Sequence, residues 1–270
     1  MLMKSAAFAT SLLVSASAFA KGVVIEMSHT RDKNPTESSK VSLDGQRCRV
    51  DAQDHQVIFR GDKGVMWVIE PNKETYMEIT KEDIKKAGEA MSSAMAQMQS
   101  QMAALPPEQR KMMEQMMAAR GMPKGAPGED AKVEYKANGK SETVNGFSTK
   151  GFDSMRSGKR EAELWVADWK SIELRQDDFK CFEMIADMLK SMPGANRANM
   201  PFKERFGEGG LPGVPVRTVR TNAAGTFTEE LKKVSRVELA ADTFEAPKGR
   251  KKESMADMMK NHQMPPVPQQ

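Results

Sequence analysis

"VMWVIEPNKETYMEITKEDIKKAGEAM", Val65 to Met91, changes its period halfway along, and that change decides the fold. Val65 to Ile69 is apolar without interruption, as suits a strand covered on both faces. Pro71-Asn72-Lys73 has the composition of a turn, and the alternation in "ETYMEIT" behind it completes an antiparallel hairpin. At Thr80 the alternation stops. Asp83 stands three residues on, as in a capping box with the shorter acid. From Lys81 to about Ala104 there is no proline, and Ala, Met, Gln, Lys and Glu predominate, all good helix formers. The stretch predicts a strand that passes directly into a long helix.

Working outward, the same two rhythms recur. Upstream, Val23, Ile25 and Met27 alternate with Val24, Glu26 and Ser28, and Val41/Leu43 and Val57/Phe59 do likewise. Downstream, Pro106-Pro107-Glu108 opens a second helix that ends at Gly121, followed by the linker "GMPKGAPGED". From Ala131 a meander of strands is expected, with turns at Asn138-Gly139 and Asn145-Gly146. Asp177 to Met192 reads as a third helix with Phe179, Phe182, Ile185, Met188 and Leu189 on its apolar face. "GVPVRTVRTN" and "TFTEELKKVSRVEL" supply the last strands, and the polar residues 250–270 read as a disordered tail. The fold class is α+β: a curved antiparallel sheet, half-barrel-like, with Met-rich helices against its concave face. A helix of about 24 residues is about 36 Å long, enough to cross roughly seven strands spaced about 4.8 Å apart.

Residues 1–20 read as a signal peptide: Lys4, an apolar run, and Ala18-Phe19-Ala20 as the small-x-small cleavage pattern. The run is too short for a membrane span. The expectation is an exported protein, periplasmic or secreted, cleaved after Ala20. It has one domain over 21–249, with a helical insert at 81–129. Without the signal the chain keeps 40 basic against 37 acidic residues, a balance unlike that of a nucleic-acid binder. Cys48 and Cys181 are the two cysteines. In an oxidising compartment they can pair, and a loop of that length makes an unstrained bridge worth about 4–5 kcal/mol. Left unpaired, they are two buried thiols.

Catalytic signatures do not emerge. No HExxH, CxxC, GxSxG, Walker A or dinucleotide glycine pattern occurs. His29 and His55 sit among polar neighbours as surface histidines, and His262 lies in the tail. The protein is read as non-enzymatic, without a cofactor.

The methionines stand out instead: eight lie between Gly88 and Met117. Ile84, Met91, Met95, Met98 and Met102 follow one helical face. Three readings compete for them. They pack a core, since methionine fills irregular space. They line an adaptable groove for a lipid or a protein segment. Or Met112, Met113 and Met116, with Met255, Met258, Met259, His262 and Met264 of the tail, bind Cu(I), for which thioethers are suitable soft ligands. An envelope chaperone or scaffold is a further alternative.

"VMWVIEPNKETYMEIT", "ELWVAD" (Glu163–Asp168), "GLPGVPVRTVR" (Gly210–Arg220) and "ADTFEAPKG" (Ala241–Gly249) resemble a family of secreted bacterial proteins known as domain of unknown function 4412. The resemblance covers most of Lys21 to Gly249. That family is similar in turn to the outer-membrane lipoprotein carrier fold (LolA/LppX-like), a half-open barrel with helices plugging its hollow face. The resemblance implies no catalytic residue. It implies an apolar ligand, a lipid or lipoprotein acyl chain, held between sheet and helices. The candidate lining is Met91, Met95, Met98, Met102, Trp67 and Trp165.

Overall fold

The computed structural model describes residues 22–103, 133–190 and 210–254, together with Leu105, Pro106, Glu108, Gln109 and Met112. The strands are β1 (Gly22–Arg31), β2 (Glu37–Asp44), β3 (Arg47–Asp51), β4 (Gln56–Arg60), β5 (Val65–Ile69) and β6 (Thr75–Thr80). Helix α1 (Lys81–Ala103) follows without a loop. Next come β7 (Val133–Val144), β8 (Phe147–Arg156), β9 (Lys159–Ala167), a 3-10 turn at Gln176–Phe179 and helix α2 (Lys180–Leu189). β10 (Val214–Asn222), β11 (Gly225–Val237), a 3-10 turn at Ala241–Phe244 and β12 (Lys251–Ser254) complete the described chain.

All twelve strands join one curved, unclosed sheet in the order β12-β6-β5-β4-β3-β2-β1-β11-β10-β9-β8-β7. Every pairing is antiparallel except that of β12 with β6. Two meanders, β1–β6 and β7–β11, are zipped together where β1 pairs with β11. At about 4.8 Å per strand the sheet is about 55 Å across.

Strand periodicity sorts the side chains onto two faces. One face, here the inner, carries the main core: Val23, Ile25, Leu43, Cys48, Phe59, Val216 and Leu231, with Ile84 of α1 and Cys181 and Met188 of α2. The outer face of β4 and β5 carries Ile58, Val65, Trp67 and Ile69 beneath Phe244. Strand β5 is therefore covered on both sides, as its unbroken apolar run required, with Met66 and Val68 packing inward. Leu164 and Val166 form a further small core with Leu211 and alternate with Trp165 and Ala167, which pack against the main one.

Three expectations are corrected. Asn138-Gly139 does not turn the chain. β7 runs on through it with a register shift between Ala137 and Ser141, Gly139 taking φ +77°. The Asn138 side chain bonds back to the Lys140 N–H, so the dipeptide makes a bulge and not a hairpin. Asn145-Gly146, at φ +51° and +87°, does form the β7–β8 turn. The third helix is shorter than 177–192: a 3-10 turn precedes it and α2 ends at Leu189. Residues 251–254, read as the start of a disordered tail, are β12. The exposed edge of β6 offers unpaired backbone groups, and a polar segment can add there as readily as an apolar one.

The strap leading into β12 is clamped to the outer face. The Arg47 guanidinium lies 5.0 Å from the Phe244 ring centroid, Arg49 Nη1 donates to the Thr243 carbonyl, and Arg60 pairs with Glu245. Arg250 donates to the carbonyls of Glu70 and Pro71.

Candidate functional site

Helix α1 is seated by its first two turns. The residues it buries are Ile84 and Gly88, and its main contacts are with β6 and α2. Beyond Gly88 the methionine stripe leaves the core: Met91 is 44% and Met98 39% exposed, while Met95 and Met102 are half-buried. Of the apolar face read from the sequence, only Ile84 is a core residue.

The candidate lining is divided by the sheet. Trp165 is half-buried against the inner core. Trp67 belongs to the outer one, 6% exposed, with its indole N–H donating to Glu78 Oε2 at 2.9 Å. A strand turns successive side chains to opposite faces, so Trp67 points away from the side on which its neighbour Met66 and helix α1 pack. Trp67 is thus a core residue under the C-terminal strap and does not share a lining with Trp165.

What the sequence reading missed is that other methionines border the same inner core. Met27 of β1, Met66 of β5, Met77 of β6 and Met184 of α2 are half-buried there. The signal was present in strand alternation, since Met66 and Val68 oppose Ile79 and Met77 across the β5–β6 pair. The denser helical cluster masked it.

Trp165 is paired with a cation. The Arg217 guanidinium sits 5.4 Å from its ring centroid. Arg217 Nε donates to Glu230 Oε1 at 2.6 Å and Nη1 to Glu142 Oε1 at 2.9 Å. Burial alone would raise the Glu230 carboxyl, but hydrogen bonds from Lys232, Arg217 and Asn145 outweigh it and bring it down to about 2. This knot joins β7, β10, β11 and the β7–β8 turn. Trp169 packs edge-on against Phe179, with centroids 6.1 Å apart, and so supports the 3-10 turn before α2.

His29 Nε2 and Ser39 Oγ are hydrogen-bonded at 2.7 Å, and Glu229 lies on the other side of the ring. Its carboxylate is 3.9 Å from Nδ1, beyond hydrogen-bond reach, so the three do not form a relay. Ser39 borders an open groove of about 400 Å³ shared with Met27, Lys40, Asp51 and Lys232. His55 pairs with Asp54 at the surface. Among the described residues no group of three or more His, Cys, Asp or Glu is arranged to hold a metal ion. Met112 is 67% exposed, whereas Met113, Met116, the signal segment and the tail from Met255 onward lie outside the described residues.

Cys48 of β3 and Cys181, in the first turn of α2, are both buried in the inner core. Both carry free thiols, on a strand and a helix that pack against each other. Burial, and then the contact with Cys48, push the Cys181 thiol well above its ordinary range.

Among the described residues no helix is long and apolar enough to cross a membrane. The family described as domain of unknown function (DUF4412) matches residues 80–250, more than half of the chain, beginning at the strand–helix junction and not at Lys21. No curated protein matches. Among solved structures, an uncharacterized conserved protein from Thermus thermophilus is similar with a TM-score of 0.42 at 8% identity, over 87% of this chain and 91% of that one. A chain from the MucA/MucB complex of Pseudomonas aeruginosa gives 0.37 at 8% identity over 86% of this chain, which spans 57% of that protein's length. A LolA superfamily protein from Nitrosomonas europaea gives 0.26 at 8% identity, over 84% and 91%.

Proposed function

We propose that this chain, which belongs to the DUF4412 family, is an exported, non-enzymatic protein that binds an apolar ligand, a lipid or a lipoprotein acyl chain, between α1 and the inner face of the sheet. The observation that carries the reading is the exposure of the methionine stripe. Met91 and Met98 stand in water on a helix whose first two turns are anchored in the core. A run of exposed thioether side chains gains nothing for the free protein, since apolar surface in water is unfavourable. Covered by an acyl chain it gains about 0.8 kcal/mol per methylene buried. Methionine suits that task because its unbranched, polarizable side chain adapts to varied partners. The half-buried Met66, Met77 and Met184 extend the same chemistry onto the sheet and α2. Trp67 has no part in this lining, and Trp165, under Arg217, marks a charged border of the inner surface.

The test uses protein purified from the periplasm of an expressing cell. Native mass spectrometry is expected to show a co-purifying lipid, and an environment-sensitive apolar dye to gain fluorescence and be displaced by a fatty acid. The paired change Met91→Gln, Met98→Gln lies on exposed positions and leaves the fold intact, so weakened dye binding in that variant reports on the surface itself. Absence of both lipid and dye response would overturn the reading.

A further inference from the structure

We propose that Cys48 and Cys181 are joined by a disulfide in the exported protein. They are 133 positions apart in sequence (181 − 48), yet both are buried in one core, on a strand and a helix that pack against each other. One stands on a central strand and the other on the first turn of the helix that packs over β3 and β4. An S–S bond of about 2.05 Å needs Cα atoms within about 7 Å, a separation that a helix packed directly on a strand can supply.

Burial fixes when the bond forms. At 2% and 0% exposure neither sulfur is open to an oxidant once α2 has docked. Oxidation therefore precedes docking, while the thiols are in water and ionise near their ordinary pKa of about 8.5. One thiolate attacks the disulfide of an external oxidant, either an oxidised dithiol protein or a small-molecule disulfide, and a mixed disulfide forms. The second thiolate then displaces the oxidant's remaining sulfur. In sum, the two cysteines lose two protons and two electrons, and the oxidant's disulfide becomes two thiols. Docking then shields the new bond from reductants. The bond holds the first turn of α2 on β3, while Ile185, Met188 and Leu189 at the other end are held by packing alone.

The test is a thiol count on the full chain purified from the periplasm without reductant. Under denaturing alkylation no label is expected, and digestion should yield a Cys48–Cys181 linked peptide. Two labels per chain would overturn the proposal. Wild-type protein reduced in denaturant and refolded with reductant should unfold at lower urea than the oxidised form. The double variant Cys48→Ala, Cys181→Ala should show one midpoint in both conditions. Equal wild-type midpoints would also overturn it, by showing that the bond does not belong to the native fold. Neither readout depends on ligand binding, so this proposal and the apolar-ligand reading fail separately.

Discussion

The Thr80 N–H donates to Asp83 Oδ2 at 2.9 Å, and the Asp83 N–H donates in return to Thr80 Oγ1 at 3.1 Å. Strand β6 ends and α1 begins on this one reciprocal pair. It satisfies two backbone donors that the end of a helix leaves open. It also fixes the angle at which the methionine-bearing helix leaves the sheet. Thr80→Ala or Asp83→Ala should each cost about 1 kcal/mol, read as a lower urea midpoint. Apolar dye binding should weaken in both, because the helix loses its anchor.

Acid should expose two of these carboxylates. The Thr80 hydroxyl, then its N–H, hold Asp83 below the usual carboxylate range, and Glu230 is brought down to about 2. Both folded pKa values are depressed. Their stabilisation is therefore fully present above the unfolded values of about 4 and is lost as pH falls through the folded ones. Urea midpoints should be level from pH 7 to about 5 and then decline towards pH 2. Glu230→Gln should flatten part of that decline. If this variant keeps the full wild-type acid slope, the Arg217–Glu230–Lys232 knot does not govern it.

Phe244 is 1% exposed against Ile58, Trp67 and Ile69. Phe244→Ala should cost about 3–5 kcal/mol by opening a cavity on the outer face. Trp67 emission should shift to the red as water reaches the indole. Glu78→Ala is the milder case. It leaves the Trp67 N–H without its acceptor and removes the ion pair of Glu78 with Lys252 of β12, at about 1–3 kcal/mol. An unshifted Trp67 spectrum in Phe244→Ala would contradict the packing of the strap.

Gly213, in "GLPGVPVRTVR", has its neighbour Val214 paired with Ala167, and a Cβ on Gly213 would lie 2.0 Å from the Ala167 carbonyl oxygen. That partner is backbone and cannot swing aside. Gly213→Ala should therefore cost about 1–3 kcal/mol through displaced strands, measured by urea unfolding. A wild-type midpoint would show that β9 and β10 do not approach so closely.

Methionines on the two helices should separate cleanly. Met188 of α2 is 6% exposed and Met91 of α1 44%. Met188→Ala should lose about 2–5 kcal/mol, whereas Met91→Ala should stay within about 0.5 kcal/mol of wild type. Equal losses would mean that Met91 is a core residue.

Local grammar alone carried much of this protein. The Thr80–Asp83 cap, the Asn145-Gly146 turn, the doubly covered β5 and the amphipathic α2 were each legible because each is decided by residues within a turn or two of one another. Which dipeptide turns and which only bulges was not. Asn138-Gly139 and Asn145-Gly146 are the same pair of residues, and the β8 strand alongside decides between them. The proximity of Cys48 to Cys181, the placement of β12 on the edge of β6, the separation of Trp67 from Trp165 by the sheet, and the exposure of Met91 and Met98 likewise belong to the tertiary structure. A sequence period states that a helix or strand has an apolar side. It does not state what stands opposite that side, because segments distant in sequence meet only when the sheet assembles, and their meeting sets which sulfur or ring is covered.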